Sequence, residues 1–168
     1  VVLEDIMIIT KNGYGLRFNI EEVPVVGAKA AGVKAINLKD GDQVAAAFKS
    51  TTQSMYILTQ RGSLKRMLQD DIPVTSRAKR GLQVLRELKN KPHRVFKAGP
   101  VFTDQGDFDL FTSQEEVAEQ DQILQITSTT GQVTEVDLTQ LSISERTSNG
   151  SFVNDTISDQ EVFSATIK

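Results

Sequence analysis

Residues 55–95 read MYILTQRGSLKRMLQDDIPVTSRAKRGLQVLRELKNKPHRV. The stretch is an apolar strand, a turn closed by Gly62, a second strand, Pro73, a basic loop and a third apolar strand. Its neighbours repeat it. Aligned on glycine, the segments Gly13 to Gly32, Gly62 to Gly81 and Gly131 to Gly150 share one spacing of 19 positions. The first two copies keep register at an offset of 49, so that Thr10 falls on Thr59, Arg17 on Arg66, Pro24 on Pro73 and Val33 on Leu82. The third copy follows 69 positions after the second, because extra residues precede it. A repeat of roughly 50 residues with three or four short strands per unit is the pattern of propeller blades and related radial arrays. The expectation is an all-β array with blade-like units at 6–54, 55–97 and 123–168 and an acidic insert at 98–122.

Within each unit the punctuation is regular. The β-branched run Ile6-Met-Ile-Ile-Thr10 ends at Lys-Asn-Gly13, and Asn-Gly between apolar runs is a hairpin signal. Gln-Arg-Gly62 and Thr-Thr-Gly131 occupy the same place. The strand after each turn alternates in part, through Leu16, Phe18 and Ile20, then Leu64 and Leu68, then Val133 with Val136 or Leu138. A continuous apolar run followed by an alternating one predicts an inner strand covered on both faces, paired with a more exposed outer strand. Pro24 and Pro73 interrupt the ladder, since proline has no N–H to donate. Strands are then expected over 33–38 and 82–88, with 44–48 and 95–97 beginning the links to the following units. In the insert, 101–111 reads as a hairpin around Gly106, and Ser113-Gln-Glu-Glu116 has the spacing of a capping box for one helical turn.

Composition narrows the function classes. The 168 residues carry 24% charged and 39% apolar side chains, an ordinary soluble balance, and no Cys, which removes disulfides and thiolate metal sites and is compatible with a reducing compartment. No apolar run approaches the ~20 residues of a membrane-spanning helix, and no signal segment opens the chain, so a cytoplasmic protein with no membrane partner is expected. The absence of an initiator Met before repeat material is expected of a piece of a longer protein.

The net charge of −3 conceals an asymmetry. Residues 1–97 hold 17 basic and 9 acidic side chains; residues 98–168 hold 2 and 13. The positive excess lies within 55–97, where 11 basic residues face 3 acidic ones. Such a division points to a surface that attracts a polyanion on one side and repels it on the other.

These features together resemble the blade repeat in the C-terminal domain of the A subunit of bacterial type IIA topoisomerases, gyrase and topoisomerase IV. The residues that carry the resemblance are the strand and Asn-Gly or Arg-Gly turn, Arg17 or Lys65-Arg66 on the next strand, Pro24 and Pro73, the Lys/Arg/Gly loop, and the Gly-Val or Gly-Leu strand start. The resemblance implies a β-pinwheel, a propeller-like disc whose blades exchange a strand, and which binds and bends duplex DNA on a basic rim. It also implies partners: the remainder of the same polypeptide and an ATPase partner, in an ATP-dependent, nucleoid-associated enzyme whose catalytic tyrosine lies outside this chain. The gyrase members carry a basic glycine-rich box close to QRRGGKG. Here the corresponding loops read Val26-Gly-Ala-Lys-Ala-Ala-Gly32 and Ser76-Arg-Ala-Lys-Arg-Gly-Leu82, which favours the topoisomerase IV branch over a gyrase-type wrapping domain. Three clear units, where the family has five or six blades, imply a partial domain or an open crescent.

The candidate phosphate contacts are Arg61, Lys65, Arg66, Arg77, Lys79 and Arg80 in the second unit, with Arg17 and Lys29 as sparser first-unit counterparts. Each cation that neutralises a phosphate releases counterions, which gives sequence-neutral, salt-sensitive binding. In the third unit the position of Arg66 is Glu135, and those of Lys79 and Arg80 are Ser148 and Asn149, so the DNA path is expected to avoid it. No catalytic group, metal site or cofactor is expected. His93 is alone and reads as a rim or turn residue; Asp104, Asp107 and Asp109 miss the calcium-loop spacing; Tyr14 and Tyr56 lack the surroundings of a nucleophile. The competing class is a propeller-like protein-interaction module with an incidental basic face.

Overall fold

The computed structural model describes residues 4–50, 53–102, 122–153 and 161–168. The hairpin and helical turn expected within 98–122 and Asp104, Asp107 and Asp109 lie outside the described residues. The described residues form three sheets and short 3-10 turns, an all-β, propeller-like array that does not close on itself. The first sheet is ordered β3(Val44–Lys49), β1(Asp5–Thr10), β2(Tyr14–Asn19), and the second β8(Val95–Val101), β4(Ser54–Thr59), β5(Ser63–Leu68). The third is β12(Val162–Ile167), β9(Ile123–Ser128), β10(Val133–Asp137).

Each hairpin lies where the glycine punctuation predicts, and Gly13, Gly62 and Gly131 all adopt left-handed φ values. The later strands of each unit differ from expectation. Residues 44–49 and 95–101 are not links; they pair antiparallel with β1 and β4 as the third strand of their own sheets. β8 therefore runs through Val101, into what the sequence reads as the acidic insert. In the third unit Leu138 belongs to a 3-10 turn, Leu138–Gln140, and not to the strand.

The segments expected as strands at 33–38 and 82–88 shrink to nothing and to β7(Leu82–Gln83). The physical reason is that this part of each unit does not pair within its own sheet. After Pro73, β6(Val74–Thr75) runs parallel to β2 of the first sheet at Arg17 and Phe18, and β7 then pairs antiparallel with the same strand at Gly15 and Tyr14. The third unit treats the second alike: Ile143 bridges Arg66 in parallel, and β11(Ser151–Phe152) pairs antiparallel with Leu64 and Ser63 of β5. The outer strands β2 and β5 are thus completed by the following unit. The same segment of the first unit has no outer strand to pair with among the described residues, and Val25, Val26 and Val33 are exposed.

The sheets pack face to face, which explains why all six residues of β4 are buried. Successive side chains of a strand point to opposite faces. Met55 and Ile57 enter a core with Met7, Ile9, Ile72 and Val84 of the first sheet's side, while Tyr56 and Leu58 enter a second core with Leu124, Ile126 and Leu138. A third cluster, Ile8, Leu16, Phe18 and Ile36, covers the far face of the first sheet. β9 alternates buried and half-buried residues, and among the described residues one of its faces meets another sheet.

Lys65 joins these layers. Its Nζ donates to the carbonyls of Val84 (2.5 Å), Arg146 (2.6 Å), Ser148 (2.7 Å) and Glu145 (3.3 Å), so one ammonium holds the second unit's own return segment and the third unit's donated loop. Its counterpart in the first unit, Leu16, makes an apolar contact instead. Lys65→Met keeps the stem and removes every donor, stranding several carbonyls. We expect a loss of about 3 kcal/mol in unfolding free energy by urea titration, with Leu16→Met costing less than ~1.5 kcal/mol.

Candidate nucleic-acid interface

The eight basic residues singled out by sequence fall into two populations. Lys65 is a correction: at 2% exposure, with its ammonium spent on carbonyls, it is inside the contact between units and not on a rim. Burial, with Arg146 nearby and only Asp71 opposing, pushes its ammonium from the ordinary value of 10.5 down to about 7.

Arg17 and Arg66 are equally committed. Arg17 pairs with Asp5 (3.1 Å) and Asp70 (3.0 Å) and donates to the carbonyl of Gln69. Arg66 donates to Ser54 Oγ (2.9 Å) and to the carbonyls of Thr139 (3.1 Å) and Leu141 (3.3 Å). Both reach from an outer strand into the 3-10 turn of the following unit, Gln69–Asp71 or Leu138–Gln140. Glu135 replaces this arginine in the third unit and pairs with Lys168.

Arg77 follows the same logic. It donates through its backbone N–H to Glu22 Oε1 (3.1 Å), through Nε to the carbonyl of Glu22 (3.0 Å), and to the carbonyl of Lys34. Its counterpart in the third unit, Arg146, donates to the carbonyl of Gln83 (3.2 Å), which is the repeat equivalent of Lys34. A contact made twice at the same repeat position is a staple between units.

Arg61 is anchored at the second hairpin turn. Its guanidinium donates to the carbonyl of Lys91 (2.7 Å), lies 5.5 Å from the ring centre of Phe152 and meets His93 Nε2 at 3.2 Å. A guanidinium can only donate, so His93 Nε2 accepts and the proton sits on Nδ1, which donates to Thr59 Oγ1 at 3.0 Å. His93 is at the turn, as expected, but buried at 6% exposure rather than on a rim. Tyr56 is buried within β4, and desolvation holds its hydroxyl at about 12, far from the range of a nucleophile.

Lys29, Lys79 and Arg80 remain exposed, and none forms an ion pair among the described residues. Lys79 and Arg80 lie on the loop between β6 and β7, the segment that the second unit lays on the first. Ala78, just before them, has φ 66°, and Gly81, just after, has φ 90°. A Cβ on Gly81 would collide with the Gly15 carbonyl oxygen, so only glycine lets the loop descend onto the neighbouring strand. Beside the loop is a cleft of about 400 Å³ lined in part by Arg17, Thr75, Ser76 and Lys79. It is a place where first-unit and second-unit candidates come together. No cluster of metal-ligating side chains occurs among the described residues, and no helix of the described chain is long and apolar enough to cross a membrane.

Three-stranded sheets repeat along the chain, two of them completed by the following unit to five and four strands, with cations on the loop that makes the crossing, and this defines a propeller-type repeat module. The chain belongs to the family described as "DNA gyrase C-terminal domain, beta-propeller", whose model matches residues 4–51 and 53–101. Within it the chain is similar to the A polypeptides of DNA topoisomerase 4: 60% identical over 167 residues to that of Streptococcus pyogenes serotype M3 and 59% over 165 residues to that of Streptococcus pneumoniae serotype 4, in each case over 98% of this chain. The chain spans about a fifth of the length of these relatives (20%). A crystal structure of the C-terminal domain of DNA topoisomerase IV superposes with a TM-score of 0.78 at 32% identity, covering 98% of this chain and 46% of that one. A DNA gyrase A C-terminal domain shares the fold, with a TM-score of 0.71 at 17% identity, over 98% of this chain and 50% of that one.

Two outcomes follow from this division of the cations. Between about pH 7 and 10.5 the unfolded chain retains the Lys65 proton that the folded chain has released, so stability rises with pH across that window. Urea midpoints at pH 7 and pH 9 should show the rise in the parent chain and lose it in Lys65→Met. Arg77→Met should lower stability by about 1–2 kcal/mol while leaving the salt dependence of any polyanion binding unchanged.

Proposed function

We propose that the chain binds duplex DNA through its phosphates, without reading base sequence, along the edge where the second unit's loop crosses onto the first sheet. The observation that carries this is the consecutive pair Lys79-Arg80, exposed and without an ion pair among the described residues, on a loop whose other cation is committed to holding the fold. Their mutual repulsion is uncompensated until a polyanion arrives. Lys29, on the corresponding loop of the first unit, extends the positive edge. The third unit, with Glu135, Ser148 and Asn149 at the matching positions, turns the path away.

By its likeness to the topoisomerase 4 relatives, we infer that the chain serves as the C-terminal, non-catalytic part of such a polypeptide. There it would bend a DNA segment and position it for strand passage by a catalytic core that lies outside this chain and works with an ATPase partner, in the bacterial cytoplasm. Sheets locked by strand exchange and by Arg17, Lys65, Arg66 and Arg77 suit this role, because a curved rigid edge bends DNA only if it does not itself yield.

The test is the salt dependence of duplex binding. Lys79→Glu/Arg80→Glu should reduce the slope of log affinity against log salt by about two phosphate equivalents, near 1.8, without changing sequence preference. Binding that is insensitive to salt between ~50 and ~200 mM would replace this proposal with the protein-interaction module.

A further inference from the structure

The second unit crosses onto β2 in two steps. Val74 and Thr75 lie parallel to Arg17 and Phe18, and Leu82 and Gln83 lie antiparallel to Gly15 and Tyr14. Residues 76–81 leave the strand between these two contacts, and the cleft of about 400 Å³ opens there, lined from β2 by Gly15 and Arg17. That volume falls in the range of small-ligand sites, about 300–1,000 Å³.

The apolar part of the cleft follows from its residues. Gly15 has no side chain, and a Cβ there would lie 2.6 Å from Ile72 Cδ1, so Ile72 takes the place of a side chain and forms a buried floor. Pro73 and Leu82 line the cleft from the two ends of the crossing, and both are exposed, Leu82 at 39%. Apolar surface that stays in contact with water at a concave site is surface that a ligand can cover.

The polar groups differ in what they already hold. The Arg17 guanidinium is occupied by Asp5, Asp70 and the Gln69 carbonyl, and Thr75 Oγ1 donates to the Arg17 carbonyl (3.4 Å). The side chains of Ser76 and Lys79, both exposed in the lining, hold no hydrogen bond or ion pair among the described residues. One ammonium and one hydroxyl beside an apolar floor supply donors for a single acid group. Arg17 is already matched by two carboxylates, so a ligand with a second negative charge would meet repulsion there.

The repeat supplies an internal comparison. Where the third unit crosses onto β5, Leu64 stands for Gly15, Ser142 for Pro73, Glu145 for Ser76, Ser148 for Lys79 and Ser151 for Leu82. That crossing still makes its parallel bridge and its antiparallel pairing. Strand exchange therefore requires neither the apolar walls nor the ammonium of the first crossing.

We propose that this cleft binds a small organic monocarboxylate, whose apolar body lies on Ile72, Pro73 and Leu82 and whose carboxylate accepts from Lys79 Nζ and Ser76 Oγ. The site is separate from the duplex-binding function: it shares Lys79 with that edge, and its test uses no DNA.

The experiment measures binding of 2-naphthoate and of its neutral twin, naphthalene-2-carboxamide, to the intact chain by fluorescence anisotropy. The chain has no Trp, so naphthalene emission is read without indole background. Leu82→Ser and Lys79→Ser install the residues of the other crossing, and circular dichroism melts confirm that each variant folds. The parent should bind the carboxylate more tightly than the amide. Leu82→Ser should weaken both probes about fivefold, from the loss of a partly covered apolar side chain. Lys79→Ser should bring the carboxylate down to the affinity of the amide and leave the amide unchanged. Pro73→Ser removes the opposite wall, with the same expected effect as Leu82→Ser, and replaces it if that variant does not fold. No saturable binding of 2-naphthoate by the parent would overturn the site. So would a carboxylate preference retained in Lys79→Ser, or parent affinity retained in the folded wall variant.

Discussion

An outer strand that cannot finish its own sheet is the constraint on which the rest depends. β2 and β5 present backbone groups that only the following unit satisfies, through β6 and β7 in one case and Ile143 and β11 in the other. The crossing is tight: a Cβ on Gly81 or Gly150 would collide with a carbonyl oxygen on the strand beneath, that of Gly15 or Leu64. Gly32 keeps the same left-handed φ with nothing near it, which marks it as the same device without a strand to cross.

Strand exchange has an electrostatic consequence. A donated segment of two residues pairs few of its own groups, so carbonyls beside it point inward and need donors. Arginine and lysine meet that need because a guanidinium or ammonium donates to several acceptors at once. Arg17, Arg66, Arg77, Arg146 and Lys65 all end on carbonyls contributed by another part of the repeat. Much of the positive charge of the first two units is thus cohesion between neighbours, in the manner of arrays whose stability is a sum over adjacent contacts. Lys29, Lys79 and Arg80 stay exposed and form no ion pair among the described residues.

The two uses are separable by chemistry. A cation buried against carbonyls is screened little by added salt, whereas an exposed cluster weakens as ionic strength rises. Titration adds to the contrast at Lys65, where burial displaces the ammonium toward neutrality.

The glycine spacing, the offset of 49 and the apolar runs were legible in the chain itself, because turns with left-handed φ demand glycine and a sandwiched strand demands continuous apolarity. From them came the all-β repeat, the hairpins, the charge division and the loop bearing Lys79 and Arg80. The role of 74–83 was not legible as pairing across units, since two-residue strands leave no periodicity. Nor could composition sort Lys65 and Arg77 from Lys79 and Arg80. A basic side chain looks the same in sequence whether it meets water or a carbonyl. The repeat carried a partial signal, because Arg77 recurs as Arg146 whereas Lys79 and Arg80 do not recur. Local sequence determined which segments are strands and turns; the tertiary structure alone decided which cations are consumed, because that depends on where a neighbouring unit's unpaired carbonyls fall.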